Sequence, residues 1–274
     1  MPTRSYVNYV SLDPDRPLTV SAQLCMPDEI SGKVPAVVIA HGSAGIGSRG
    51  LFYAAEINKA GIATLEIDMW AARGWFGGVS GRPLGVPETL PDAYGALKFL
   101  SLQPHIDTQS IGILGFSWGG IVALLCATQP YTQLFTQGEL NFAAHVANYP
   151  VCWLYNQVPG YEFSSFTGAP VLIQAGELDA YDNPDTCTNL VESLAAAARS
   201  FISLKVYKGA THAWDRLESA ITITDQYSHL GRGGEVPFVP NPAAAYESRS
   251  AAVMFFERAF GLAAAVRDRN KEEK

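Results

Sequence analysis

Basic residues, long apolar runs, cysteines and histidines are all scarce in this 274-residue chain. Lys and Arg number 19 against 26 Asp and Glu, for a net charge of −7 with no basic cluster. That balance leaves no electrostatic footprint for nucleic acid and no basic helix for an anionic membrane. No apolar run approaches the ~20 residues that a membrane span requires. The first ten residues, MPTRSYVNYV, are polar and lack the apolar core of a secretory signal. Cys25, Cys126, Cys152 and Cys187 are scattered, without paired metal-ligand spacing, and read as buried thiols in a reducing compartment. A cytoplasmic location is the matching expectation. Charged residues are 16% of the chain and hydrophobic ones 48%, which excludes disorder as its main state.

What is present alternates between two patterns. Ala36–Ala40 (AVVIA), Ile111–Gly115 (IGILG) and Val171–Ala175 (VLIQA) are apolar at nearly every position, as parallel strands covered on both faces must be. Ile62–Ile67 and Ile202–Tyr207 read as further strands. Helical stretches fall between them, at Leu51–Ala60, Pro91–Leu102, Ile121–Thr128 and Thr188–Arg199, and a last helix spans Pro242–Phe260. The alternation predicts an α/β fold with a mostly parallel, doubly wound sheet flanked by helices. Tyr6–Ser11 and Leu18–Met26, around Asp13-Pro14, predict an antiparallel N-terminal hairpin. No linker divides residues 1–274, so a single domain is expected, with its core over about 18–260 and a charged tail at 267–274. Asp68–Pro87 and Leu217–Asn241 read as long loops.

The chemistry concentrates in Gly115-Phe116-Ser117-Trp118-Gly119-Gly120, which follows a strand and opens a helix. That is the context of a nucleophile elbow, where a tight turn lifts a serine hydroxyl above the sheet edge. The Trp118 backbone N–H then faces an oxyanion at a helix N-terminus. Of five histidines, His212 in Gly209-Ala210-Thr211-His212 follows a strand and is the candidate base. His41 reads as a loop brace, His105 beside Pro104 as a turn residue, and His145 and His229 as structural. The orienting acid belongs between serine and histidine, after a strand. Asp179 in Gly176-Glu177-Leu178-Asp179 occupies that place, with Asp182 as the alternative, or as a cap of the next helix, and Glu177 as a weak third. After Ala36–Ala40, His41-Gly42-Ser43-Ala44-Gly45 offers the second oxyanion donor, the N–H of Ser43 or else Ala44. Its glycines suggest phosphate binding as well, but no Lys-Ser/Thr pair follows.

These motifs resemble the α/β-hydrolase superfamily and, more closely, the dienelactone hydrolase family, over Leu18 to Phe260. Asp68-Met69-Trp70-Ala71-Ala72-Arg73-Gly74 is similar to the family's Asp-x-Phe-x-x-Arg-Gly segment, and Gly176–Asp179 with Cys187 to its acid segment, which favours Asp179. The resemblance implies hydrolysis of an ester or lactone through an acyl-enzyme, without metal or cofactor. Two departures stand out: the founding members carry a nucleophilic cysteine where this chain has Ser117, and a glutamate where it has Gly42. The expected roles are therefore Ser117 as nucleophile, His212 as base, Asp179 as its orienter, and Trp118 and Ser43 as oxyanion donors. Trp70, Arg73, Trp75, Phe76 and Arg82 are candidate substrate contacts, an arginine fork suiting a carboxylate. The competing reading is a small-molecule receptor with little turnover on the same scaffold.

Overall fold

The computed structural model describes residues 3–28, 32–75 and 82–262. Eight strands form one sheet in the order β1-β2-β4-β3-β5-β6-β7-β8. They are β1 Thr3–Val10, β2 Thr19–Met26, β3 Val34–Ala40, β4 Ala63–Asp68, β5 Ile106–Phe116, β6 Ala144–Asn148, β7 Val171–Gly176 and β8 Ile202–Tyr207. The hairpin is antiparallel, and β2 joins β4 antiparallel; every pairing from β4 onward is parallel. Asp13 closes the hairpin by accepting the N–H groups of Asp15 and Arg16, each at 3.0 Å.

The AVVIA run behaves as its composition dictates. All seven residues of β3 are buried, and alternate side chains feed opposite faces. Ala36, Val38 and Ala40 join one core cluster, with α2 (below) and its neighbours; Val37 and Ile39 join the other, with Tyr53, Ile57 and Phe256. Each Val or Ile so enclosed contributes roughly 1.5–3 kcal/mol. Helix α1 (Ser48–Lys59) links β3 to β4 on one side of the sheet. Helix α2 (Leu90–Ser101) returns the chain to β5 on β3's other edge. This reversal makes β3 and β5 neighbours with their C-terminal ends side by side, Ala40 opposite Gly115. Open α/β sheets place their binding crevice at such a switch point.

Several expectations change. Strand β6 (AHVAN) and helix α4 (Gln129–Thr136), which follows α3 (Trp118–Leu125), are elements beyond those expected from the sequence. The region Leu217–Asn241 is not wholly loop: β9 (Ile221–Asp225) and β10 (Gly234–Phe238) pair antiparallel in a separate two-stranded sheet. The helix expected over Thr188–Arg199 breaks into α5 (Thr186–Ser193) and α6 (Ala196–Arg199), extended at Leu194 and Ala195. The break lets both Leu194 and Ala198 turn into the same core cluster. The cysteines divide: Cys25 and Cys126 are buried free thiols, whereas Cys152 and Cys187 form a disulfide with Cα atoms 5.1 Å apart. The expectation of four thiols fails because the turn after β6 folds against α5, a contact between segments 35 residues apart. Among the described residues no helix is long and apolar enough to cross a membrane.

Candidate active site

The elbow forms because its glycines permit two backbones to touch. A Cβ at Gly115 would collide with the Gly119 carbonyl, and one at Gly119 with the Ala40 carbonyl. Between them Ser117 adopts φ 52° and ψ −110°, a region that costs a non-glycine residue about 1–3 kcal/mol. Three backbone hydrogen bonds hold it there. Ser117 N–H donates to Asn148 O (2.9 Å), Gly119 N–H to His41 O (3.1 Å) and Ile121 N–H to Ser117 O (2.9 Å).

Above the elbow lies a hydrogen-bonded array. The Ser117 hydroxyl is 2.9 Å from His212 Nε2, and His212 Nδ1 is 2.8 Å from Asp179 Oδ2. His212 and Asp179 are both buried. A carboxylate can only accept, so Asp179 fixes the proton on Nδ1 and leaves Nε2 to accept from Ser117. Asp179 is itself aimed by the Tyr181 N–H, which donates to Oδ1 at 3.0 Å. The imidazole is enclosed by the rings of Tyr149, Tyr181 and Phe238, with centroids 4.8, 4.5 and 5.3 Å away.

The alternative acids have other work. Asp182 accepts the N–H groups of Cys152 (2.7 Å) and Trp153 (2.8 Å), tying down the turn after β6 rather than capping the next helix. Burial, and then the Asp179 charge, push its carboxyl up to about 7. Glu177 accepts from the Gly209 N–H at 2.7 Å. His41 is a brace, as its sequence position suggests: Nδ1 lies 2.8 Å from Gly42 O, and Nε2 accepts the Met69 N–H at 3.0 Å. Burial lowers it to about 4, so it is neutral near pH 7. His145 is likewise buried, bonded to Ala123 O at 3.0 Å and lowered by burial to about 4.

Ser117, Ser43 and Trp118 line a cavity of about 510 Å3. Its walls are mainly apolar, from Ile121, Val151, Leu154 and Val158, with one polar cluster formed by Arg82, Asp225, Tyr181 and Tyr227. Arg82 Nη2 is 3.6 Å from Asp225 Oδ2, and the guanidinium lies over the Trp118 and Tyr227 rings at 5.5 and 5.6 Å. Asp225 also accepts from the Tyr181 hydroxyl at 2.9 Å.

The remaining expected contacts lie elsewhere. Arg73 is pinned by Asp92 (2.6 Å), Met69 O (2.7 Å) and Glu88 O (2.9 Å), and does not line the cavity. Trp70 and Trp75 are also absent from its lining; they are buried, and Trp70 packs edge-on against both Trp75 and Trp118. Long side chains of this segment turn inward because α2 supplies Asp92 and the loop after β3 supplies the Ser43 carbonyl. Phe76 lies outside the described residues. Sequence reasoning missed Tyr181, Asp225 and Tyr227. Tyr181 sits within the acid segment and could have been found there; no spacing signals the other two.

Comparison with known proteins agrees with this architecture. A Bradyrhizobium protein named as a probable 2-oxo-3-(5-oxofuran-2-ylidene)propanoate lactonase is 26% identical over 194 residues, 68% of this chain and 75% of that one. The solved dienelactone hydrolase of Anabaena variabilis superposes with TM-score 0.59 at 22% identity, covering 94% of this chain and 98% of that one. A dienelactone hydrolase-like promiscuous phosphotriesterase from metagenomic libraries gives TM-score 0.61 at 16% identity, over 93% and 98%. At these identities the two structures speak to fold alone. The family model for dienelactone hydrolases matches residues 20–260, and the chain therefore belongs to the dienelactone hydrolase family of α/β hydrolases.

Proposed function

We propose that the protein is a serine hydrolase that cleaves a carboxylic ester or lactone through an acyl-enzyme. The observation carrying this reading is the continuous Ser117–His212–Asp179 hydrogen-bonded array opening on a largely apolar cavity. His212 takes the Ser117 proton as the serine oxygen attacks the carbonyl carbon. The N–H groups of Ser43 and Trp118 receive the oxyanion, each contributing about 3 kcal/mol to lowering the barrier. His212 then protonates the leaving alcohol and activates water for deacylation. The family's hydrolytic character and the lactonase name of the Bradyrhizobium relative support this class of reaction.

Arg82 is the cavity's cation and the residue to which an acidic substituent of the substrate would bind. The test is covalent labelling with a fluorophosphonate, mapped by peptide mass spectrometry, beside turnover of p-nitrophenyl esters and small lactones. Ser117 should carry the label, and Ser117→Ala should lose both label and at least ~10³-fold in kcat while melting within a few degrees of wild type. An unlabelled Ser117 in folded protein would move the chain to the receptor class.

A further inference from the structure

The Asp68–Gly74 segment is used by no step of the reaction just proposed, yet it grips the loop that carries one oxyanion donor. Two of its polar groups reach that loop: the Met69 N–H donates to His41 Nε2 at 3.0 Å, and the Trp70 indole N–H donates to Ser43 O at 3.2 Å. Asp68 shapes the segment for this, since Oδ1 accepts the N–H groups of Trp70 (3.0 Å) and Ala71 (2.9 Å). The Trp70 ring fills the space between His41, at 5.1 Å, and Trp118, at 5.3 Å. One side chain thus touches both residues whose N–H groups would hold the oxyanion.

Peptide planarity says what each grip does. In a trans peptide the N–H lies opposite the carbonyl of the preceding residue. Gly42 O is held by His41 Nδ1 (2.8 Å) and the Gly45 N–H (3.0 Å), which orients the Ser43 N–H. The next peptide has Ser43 O at one end and the Ala44 N–H at the other, and its bond from a side chain comes from Trp70. Without it the peptide is free to rotate about the Ser43 ψ, and the loop loses its second clamp.

We infer that Trp70 is a positioning residue whose indole N–H locks the Ser43–Ala44 peptide, anchoring Ser43 from its carbonyl side so that the loop, and with it the Ser43 N–H, keeps its place relative to Ser117. The inference rests on the ester-hydrolase reading above. Trp70→Phe keeps an aromatic ring and removes the N–H. A tryptophan analogue with benzothiophene in place of indole, incorporated at position 70, removes the N–H while keeping the ring's shape.

Both variants should lower kcat about 10-fold, with KM for a neutral ester within twofold, because only the charge-developing state uses the donors. Affinity for a tetrahedral mimic, a trifluoromethyl ketone, should fall by the same factor as kcat/KM. Affinity for an unreactive amide analogue of the ester should not change. Wild-type rates in both variants would overturn the inference, as would a loss in the Phe variant that the benzothiophene variant does not share. Equal weakening of ketone and amide would also overturn it, since that marks a general packing role. Fluorophosphonate labelling of wild-type Ser117, run in parallel, separates the outcomes: labelled serine with unaffected variants refutes this inference alone, and unlabelled serine refutes the reading beneath it.

Discussion

Replacing Asp179 by Asn tests the acid assignment through the identity of one proton. The two carboxylate oxygens have different partners: Oδ1 accepts the Tyr181 N–H, and Oδ2 accepts from His212 Nδ1. An asparagine must keep its oxygen toward the Tyr181 amide, because two donors cannot face each other in this buried site. Its NH2 group then points at Nδ1, which must become the acceptor. The imidazole proton moves to Nε2 and points at Ser117, so the base is lost without any change of shape. The imidazolium formed during attack also loses a buried counter-charge. Together these should cut kcat/KM by about 10³–10⁴-fold, or ~4–5.5 kcal/mol. Asp182→Asn is the matched control. It weakens the anchoring of Cys152 and Trp153 and should lower stability by about 1–3 kcal/mol, with kcat within ~10-fold of wild type. The assay is steady-state hydrolysis of a p-nitrophenyl ester by both variants, with melting curves for each. Asp179→Asn retaining more than a tenth of wild-type activity, or Asp182→Asn losing more, would refute the assignment.

Arg82→Ala should raise KM about 10-fold or more for an acidic ester and leave a neutral ester of similar size nearly unaffected; equal effects on both would make Arg82 structural. Arg73→Ala should act on stability instead, by about 3–5 kcal/mol in urea unfolding, because it strands Asp92 in the core. Reducing the Cys152–Cys187 disulfide, which bridges a separation of 35 residues, should cost about 4 kcal/mol or roughly 8 °C in Tm, read by calorimetry with and without dithiothreitol. Titration of four free thiols in unfolded, unreduced protein would contradict the bridge. Glu66 is pushed up from 4.5 to about 7, chiefly by burial, so the folded state holds its proton more tightly than the unfolded chain does. Its contribution to stability is present below pH 4.5 and is lost as pH rises through 7, a difference of about 3 kcal/mol. Glu66→Gln should therefore flatten the wild-type decline in urea midpoint between pH 5 and 8.5, and an unchanged slope would refute that cause.

Legibility in the sequence followed the number of constraints each residue obeys. Strand β3 is enclosed on both faces, so its whole length is apolar and it announces itself. Strand β6 occupies an equally buried place but is not announced by its sequence, because it carries the polar residues His145 and Asn148, both bonded inside the protein. His145 bonds a helix carbonyl, and Asn148 donates to Tyr53 and Asp215. The elbow was legible because backbone contact demands glycine at two fixed offsets. The meeting of His212 and Asp179 was legible because each follows a strand that ends at the same edge of the sheet. Nothing local separates Arg73 from Arg82: both stand in one stretch rich in glycine and aromatic residues. Their fates are decided by Asp92 on α2 and Asp225 on β9, which only the fold brings near. The disulfide was hidden for the same reason, since β6 and β7 must pair before Cys152 can meet α5.

The strain at Ser117 explains why the proposed nucleophile sits at the sheet's switch point rather than on a free loop. A serine at φ 52° reverts to a relaxed turn unless its neighbours oppose the change. Here the opposition comes from separate pieces of the sheet: Asn148 O at the end of β6, His41 O just beyond β3, and the first turn of α3. Relaxing the elbow would break hydrogen bonds to all of them at once, at about 1 kcal/mol net each or more once buried groups are stranded. That sum exceeds the strain of one left-handed residue. Strand β3 delivers the His41–Gly45 loop, β5 delivers Ser117, and α3 brings its own N-terminus to the same place. The pairing register of β3, β5 and β6 therefore fixes the site's geometry as well as the fold. A substitution that slides β6 by one residue would remove the Asn148 acceptor and release Ser117, without touching any residue of the hydrogen-bonded array.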